Sequence, residues 1–552
     1  MIRRVLILSS FLFFSFMFTA CNSSNESNEV SSTDSKVMKS EFNDSKPVDG
    51  DWLIYHLGAE PGTLNPITAR DVYQSIINGD NIYESLVRRD NKTLEIVPQL
   101  AESWEISEDK LTFTFKIKKN IKWHDGKPFT SEDIVFSYNK IMDPKVDSAR
   151  LKAYYQEIEK VEAIDSHTVK FTYARPYFLA LESCGGMPIV AKHIFESGDF
   201  NKNPAGRQPV GTGPYKFTKW ETGRQIVLEK NPEYWGEKPK IDKIVFKIIN
   251  DRNVAFQVLR KGEIDFSSLT PIQWEKQSKT KKFEEKFNKY AYFTPNYNYI
   301  GWNIDRPFFS DKRVRKAMTH LVNRELILEK ILFNLGVTVT NPFYINSKEY
   351  DKSIKPLIFS PEKAKLLLDE AGWVDSDSDG IRDKNGIKFE FEFLIPNASD
   401  TSEKISTILK EEMDKVGIVM NIRKIEWAVF VQRLNERKFD AVTLGWSMGV
   451  ESDPYQIWHS SQKSGGGSNF VGFENAEADK IIEDARKEFN NDKRAKLYKK
   501  FANIIHNEQP YTFLFCRKSP VAVSNRFKGV KVHPLGLDFL EWYVPAQLQK
   551  YH

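Results

Sequence analysis

The chain has 552 residues, 40% hydrophobic and 13% aromatic, with 80 Lys and Arg against 75 Asp and Glu. That length exceeds what a single growing core serves, so two or more lobes are expected. A net charge of +5, without a long basic run, gives no electrostatic support to nucleic-acid binding, and the many Lys and Glu read as a solvated surface.

Arg3 and Arg4 precede an apolar run, Val5 to Phe18, that is short for a membrane span; residues 1–20 read as a targeting segment. Phe18-Thr19-Ala20-Cys21 resembles a lipobox, in which Cys21 is diacylated and becomes the mature N-terminus; ordinary cleavage after Ala20 is the alternative. Residues 21–50 are rich in Ser, Asn, Asp and Glu and read as a disordered tether. Beyond Cys21 only Cys184 and Cys516 remain, which leaves a bridge and two free thiols both open.

Folded structure is expected from Asp51, with a strand over Trp52 to Leu57, a Pro/Gly loop over Ala59 to Pro66 and a helix over Ser75 to Leu86. Leu111, Phe113, Phe115 and Ile117 alternate with Thr112, Thr114, Lys116 and Lys118, as in a half-buried strand. His124-Asp125-Gly126 turns the chain, and Thr130 with Asp133 forms a capping box for the next helix. A strand pair over Glu157 to Thr172 follows, then Gly211-Thr212-Gly213-Pro214 as a turn before a strand over Tyr215 to Trp220. That glycine pair lacks the Lys-Ser/Thr ending of a phosphate cradle and precedes a strand, so it is read as structural. From Tyr297 strands and helices alternate. Ser360 caps a helix with Pro361 in its first turn and Gly372 beyond its end. Phe389, Phe391 and Phe393 mark a strand, 401–416 a helix, 418–422 a strand, 427–435 a helix and 441–445 an apolar strand. Gly465 to Gly467 reads as a mobile loop, 477–489 and 492–505 as a helical pair, and 512–515 and 530–532 as strands. This is the pattern of an α/β lobe.

The run AESW (Ala101 to Trp104) followed by SEDKLTFTFKIKKNIKWHDGKPFTSEDIVFSY resembles bacterial extracellular solute-binding proteins of family 5. PVGTGPYKFTKW (209–220), NPEYWG (231–236), FFSDKRVRKAM (308–318), PEKAKLLLDEAGW (361–373) and HPLGLDF (533–539) follow in the same order, over roughly residues 50–545. The resemblance implies a two-lobed periplasmic-binding-protein fold, type II, of mixed α/β sheets, with a hinge between the lobes. It divides the chain into lobe I at 51–296, lobe II at 297–519 and a return to lobe I at 520–552. It also implies a monomeric, extracytoplasmic receptor that passes a solute to an ABC permease. Peptide is the expected ligand, with a metal chelate or an oligosaccharide as alternatives, and a non-transport surface or signalling lipoprotein as a further reading. An enzyme is not expected: GxSxG, HExxH and a reactive-Cys context are absent, and Glu451 with Asp453 on one loop is a poor glycosidase pair.

The stretch 445–458, GWSMGVESDPYQIW, leaves an apolar strand where open α/β sheets place their ligands. Trp446 offers a flat face, Ser447 a hydroxyl, and Glu451 and Asp453 carboxylates for a ligand amine; core or hinge packing is the alternative for Trp446. In peptide-binding relatives an Asp four residues before the motif's proline holds the peptide amine, and here that place is Val450. The dipeptide receptors' Arg would fall near Ser399, and no Arg lies between Asn397 and Lys404, which favours a longer peptide. Thr68 and Asp71 correspond to a cleft-lining segment, and Asn298 and Gly301 lie where the chain first crosses between lobes. Asp375, Asp377, Asp379 and Asp383 begin like a calcium loop. Gly386 stands where the bidentate Glu belongs, so only weak calcium binding, or a plain acidic loop, is expected; no other cofactor is.

Overall fold

The computed structural model describes residues 46–551 except Ala398, Gly465 and Gly466. The targeting segment, Cys21, most of the tether and two residues of the Gly465 to Gly467 loop lie outside the described residues. No helix among the described residues is long and apolar enough to cross a membrane.

In chain order the strands used below are β1 (Trp52–Leu57), β2 (Ala101–Ile106), β3 (Thr112–Ile117), β4 (Ile158–Asp165), β5 (Thr168–Tyr173), β6 (Tyr215–Glu221), β7 (Gln225–Lys230) and β8 (Lys243–Ile248). They continue with β9 (Phe266–Ser268), β10 (Phe287–Phe293), β11 (Asn296–Trp302), β12 (Gly336–Thr338), β13 (Glu390–Pro396), β14 (Val419–Ile425), β15 (Ala441–Ser447) and β16 (Tyr511–Ser524). The helices are α1 (Val72–Asn78), α2 (Ser131–Met142), α3 (Arg252–Lys261), α4 (Lys312–His320), α5 (Pro361–Glu370), α6 (Asp400–Asp414), α7 (Trp427–Asn435), α8 (Ala476–Arg486) and α9 (Asn491–Glu508).

One twelve-stranded sheet runs β14-β13-β15-β11-β16-β9-β1-β8-β7-β6, with β10 and β12 also paired to β16. A separate four-stranded sheet runs β2-β3-β5-β4. The alternation read over Thr112 to Ile117 is the burial pattern of β3, with Phe113, Phe115 and Ile117 inside. The Asp133 carboxylate accepts the Thr130 N–H at 2.9 Å, which closes the expected box on α2. In the lobe II half of the sheet one face packs Trp302, Phe391 and Phe393, and the other packs Tyr297, Tyr299, Trp458 and Phe513. Both faces being covered explains why these strands read as nearly continuous apolar runs.

Three elements depart from the sequence reading. The helix expected over 75–86 is α1, earlier and shorter, because Asp71 caps it through the Gln74 N–H at 2.9 Å and Asp80 takes φ 53° just past its end. The strand expected over 512–515 continues to Ser524 through Pro520. Pro520 falls where β16 leaves β11 and β12 for β9 and β10. A missing N–H costs least at such a change of neighbours. Over 530–532 only a two-residue strand forms, Val532–His533.

Gly211 and Gly213 serve close packing: a Cβ on either would lie 1.7 Å from the Ile82 carbonyl oxygen and 2.3 Å from that of Asn81, respectively. His124, in the neighbouring hairpin, donates from Nε2 to the Gly213 carbonyl at 2.9 Å and accepts the Gly211 N–H at Nδ1. Burial lowers its pKa to about 4, so the imidazole is neutral and structural. Cys184 and Cys516 are both buried and unpaired.

Arg526 closes lobe I. Its buried guanidinium pairs with Asp51, bonds Asp265 at 2.7 and 3.0 Å, and donates to the Trp52 carbonyl at 2.6 Å. Asp51 also accepts the N–H groups of Lys550 and Tyr551, and the Tyr551 ring stacks on Trp52 at 4.8 Å.

Glu84 is buried with hydroxyl and indole donors around it: Thr212 at 2.9 Å, Tyr234 at 2.7 Å and Trp235 at 3.0 Å. Burial raises its pKa to about 7 against those hydrogen bonds. The folded chain then holds this proton more tightly than the unfolded chain, so unfolding releases it between pH 4.5 and 7. Stability contributed by Glu84 therefore falls as pH rises through that window and is constant above it. Denaturant titrations across pH 4.5–8 should show Glu84→Gln without this loss, a difference of about 3 kcal/mol at pH 7.

Candidate functional site

In lobe II β13 runs parallel to both β14 and β15; β13 and β14 end level at Pro396 and Ile425, and β15 continues three residues further, to Ser447. The ends of parallel strands are where open α/β sheets bind ligands. Two tryptophans stand there. Trp427 opens α7, is 54% exposed and stacks on Phe430 at 5.6 Å. Glu426 caps that helix by accepting the Ala428 N–H at 2.7 Å. Trp446, near the end of β15, is half-buried and lies parallel to Phe470 at 6.1 Å, with its indole nitrogen unpartnered. Ser447 is exposed opposite Asn296, and Asn298 lies opposite Gly445.

The carboxylates of the next loop are not free. Asp453 is half-buried, accepts Arg486 Nε at 2.9 Å and the Tyr455 N–H at 3.0 Å, and has its pKa raised by desolvation against the Arg486 charge. Glu451 accepts Arg494 Nη2 at 2.7 Å and lies 3.9 Å from Arg89 Nη1 of lobe I. Burial raises its pKa as well, opposed by both arginines. Arg89 is also gripped by Glu182. Beside this pair the Phe178 N–H donates to the Arg486 carbonyl at 2.9 Å, and the Arg494 guanidinium lies 4.1 Å over the Phe178 ring. Lobe I residues Arg89, Tyr177 and Phe178 thus seat directly on α8, α9 and the 447–454 loop. This forms a clasp between the lobes whose charges are already matched. A ligand amine meeting Glu451 would compete with the buried Arg494, and one meeting Asp453 with the half-buried Arg486, and leaving Arg494 unpaired is a strongly unfavourable exchange.

The other candidates are dispersed. Asp71 is occupied in capping α1 and accepts the Gly62 N–H. Thr68 is half-buried. Gly301 is a buried packing position, where a Cβ would meet Val471 at 3.0 Å. Carboxylate oxygens of Asp375, Asp377 and Asp383 lie within 4.8 Å of one another. Lys388 approaches Asp377 at 3.2 Å and pairs with Asp379, supplying positive charge to the loop. Asp375 accepts the N–H groups of Asp379 and Gly380. A groove of about 920 Å³ is lined by Thr63, Asn203, Arg207 and Trp220 and includes neither Trp427 nor Trp446.

Sequence reasoning missed Trp427 and the clasp. Trp427 had a signal, since it follows a strand directly as Trp446 nearly ends one. Arg89 had none: it meets Glu451 only through the fold.

The family model for bacterial extracellular solute-binding proteins, family 5 middle, matches residues 95–468. Oligopeptide-binding protein AppA of Bacillus subtilis is 32% identical over 549 residues, 96% of each chain. The dipeptide-binding protein of Escherichia coli is 27% identical, over 89% of this chain and 94% of its own. Among solved structures, Bacillus subtilis AppA bound to a nonapeptide superposes with TM-score 0.78 at 31% identity, over 90% of this chain and all of the other. NikZ of Campylobacter jejuni with Ni(L-His) gives 0.76 at 26%, over 89% and 99%.

Arg494→Met should lower unfolding free energy by about 3 kcal/mol or more in denaturant titration, because Glu451 then stays buried without its main cation. Arg89→Gln removes the paired bonds to Glu182 and the bond to the Leu94 carbonyl as well as the approach to Glu451, and should cost about 1–3 kcal/mol. Its expected signature is a larger radius of gyration for the ligand-free protein in X-ray scattering.

Proposed function

The chain belongs to the bacterial extracellular solute-binding proteins of family 5, and from that premise we propose that it binds a peptide between its lobes and delivers it to an ABC permease. Cys21 carries the lipid that holds it at the membrane, and the receptor works as a monomer outside the cytoplasm. The observation that carries the peptide reading is the pair Trp427 and Trp446 at the shared strand ends. Flat indole faces accept many side chains, which suits a receptor tolerant of sequence. Glu451 and Asp453 are held by Arg494 and Arg486, so lobe II offers neither as an amine anchor. A ligand gripped along its backbone, longer than a dipeptide, fits this better than one read at its amine. The likeness to an oligopeptide-binding protein over 96% of both chains supports the same choice. The lobes close over the ligand by a hinge motion.

Mass spectrometry of material released from the purified domain, residues 51–552, tests this directly. A mixed ladder of short peptides is expected. Trp446→Ala and Trp427→Ala should each carry less, with affinity for a chosen peptide reduced about tenfold. A single non-peptide compound, such as a metal chelate, would overturn the peptide reading and keep the receptor. Nothing bound, and no thermal shift with added peptides, would favour a surface or signalling role.

A further inference from the structure

Among the described residues one buried carboxylate has nothing to hold. Glu349 is 4% exposed, yet no hydrogen bond or ion pair reaches its side chain. The other buried acids, Asp51, Glu84, Asp133, Asp265 and Asp383, each accept from an arginine, a hydroxyl, an indole or a backbone N–H. The unpartnered hydroxyls of Ser347 and Tyr498 and the Arg494 Nε are sealed from solvent, whereas the Glu349 oxygens are not. The carboxylate therefore meets a gap in the packing rather than a wall of apolar atoms.

Contacts of its neighbours place Glu349 where the lobes meet. Upstream, the Tyr344 hydroxyl donates to the Pro534 carbonyl of lobe I at 3.2 Å, and the Asn346 amide donates to that hydroxyl at 3.0 Å. The Phe343 ring stacks on Tyr498 of α9 at 5.1 Å, and Tyr498 meets Phe178 of lobe I at 6.2 Å. Directly before Glu349, Lys348 Nζ bonds Asp492 in the first turn of α9 at 2.9 Å. Arg494, two residues further along that helix, is the cation of the clasp. Lys348 is exposed and spends its charge on Asp492, while Glu349 turns inward. A carboxylate held out of water without a cation is costly, and a cation that arrives with N–H donors removes that cost through charge-assisted hydrogen bonds.

We propose that Glu349 is a specificity residue of the receptor, taking a positively charged group of the bound peptide, an ammonium or a guanidinium, at the junction of the lobes. This rests on the peptide reading above and adds a charge preference to it. The group is either a Lys or Arg side chain or the peptide's amine. Glu451 and Asp453 already hold arginines, so Glu349 is the acid of this region left for the ligand.

Calorimetry with three alanine-rich hexapeptide amides tests it: one acetylated and uncharged, one acetylated with an interior lysine, and one with a free amine. The wild-type protein should bind a cation-bearing form about 10- to 100-fold more tightly than the uncharged one. Whichever form gains identifies the source. Glu349→Gln should remove most of that discrimination. Ligand-free Glu349→Gln should also melt no lower than the wild type, because the substitution removes an unpaired buried charge. A merely structural carboxylate would give the opposite pair of results, with discrimination kept and the melting temperature lowered, and that overturns the proposal. Equal binding of all three peptides by the wild-type protein overturns it as well and leaves the peptide reading intact. Binding of none of the three overturns the peptide reading and this site together.

Discussion

Strand β16 hydrogen-bonds to both lobes along its own length. Residues 511–517 pair with β11 and β12 in lobe II, and 518–524 pair with β10 and β9 toward lobe I. Backbone ladders of this kind do not slide, since a one-residue slip would move every side chain to the opposite face of the sheet. Phe513 and Phe515 would each lose the core on its own face of the sheet, and Val521 and Val523 the core of lobe I. The lobes can therefore change their mutual angle only by twisting the β10–β16 pair, which keeps Arg517, Asn296 and Ser447 in fixed register.

The clasp is the complement of that constraint. Arg89, Tyr177 and Phe178 reach lobe II away from β16 and meet residues whose charges and rings are already matched. The chain crosses between the lobes from β10 to β11 and again within β16, and the clasp, with the Tyr344 hydroxyl on the Pro534 carbonyl at 3.2 Å, adds non-covalent attachment. The clasp includes a long approach of Arg89 to Glu451 at 3.9 Å, both largely buried, supported by the buried Arg494–Glu451 bond. An arrangement held by so weak a bridge opens readily, as solute exchange requires.

Much of the fold was legible because it rests on local periodicity. The alternation in β3, the Thr130–Asp133 box and the Ser360–Pro361 start of α5 each declare themselves within a few residues. The length of β16 was hidden because Pro520 reads as a strand breaker, and only the change of partners at that residue makes it tolerable. In the candidate site Trp446 was visible from its place at a strand end. Glu451 and Asp453 were visible as acids but not as occupied ones, because Arg494 and Arg486 come from a helical pair that sequence spacing does not aim at them.

The Arg526 box gives the molecule a mechanical ground. Lys46 to Gly50 enter beside Tyr551, and Asp51 bonds both the guanidinium and the last backbone amides. Residues 49–52 and 549–551 are therefore tied to each other through one buried ionic box. A pull on residues 49–51 would load this box first, and lobe II, joined through the β16 ladder and the clasp, is the arm left to swing.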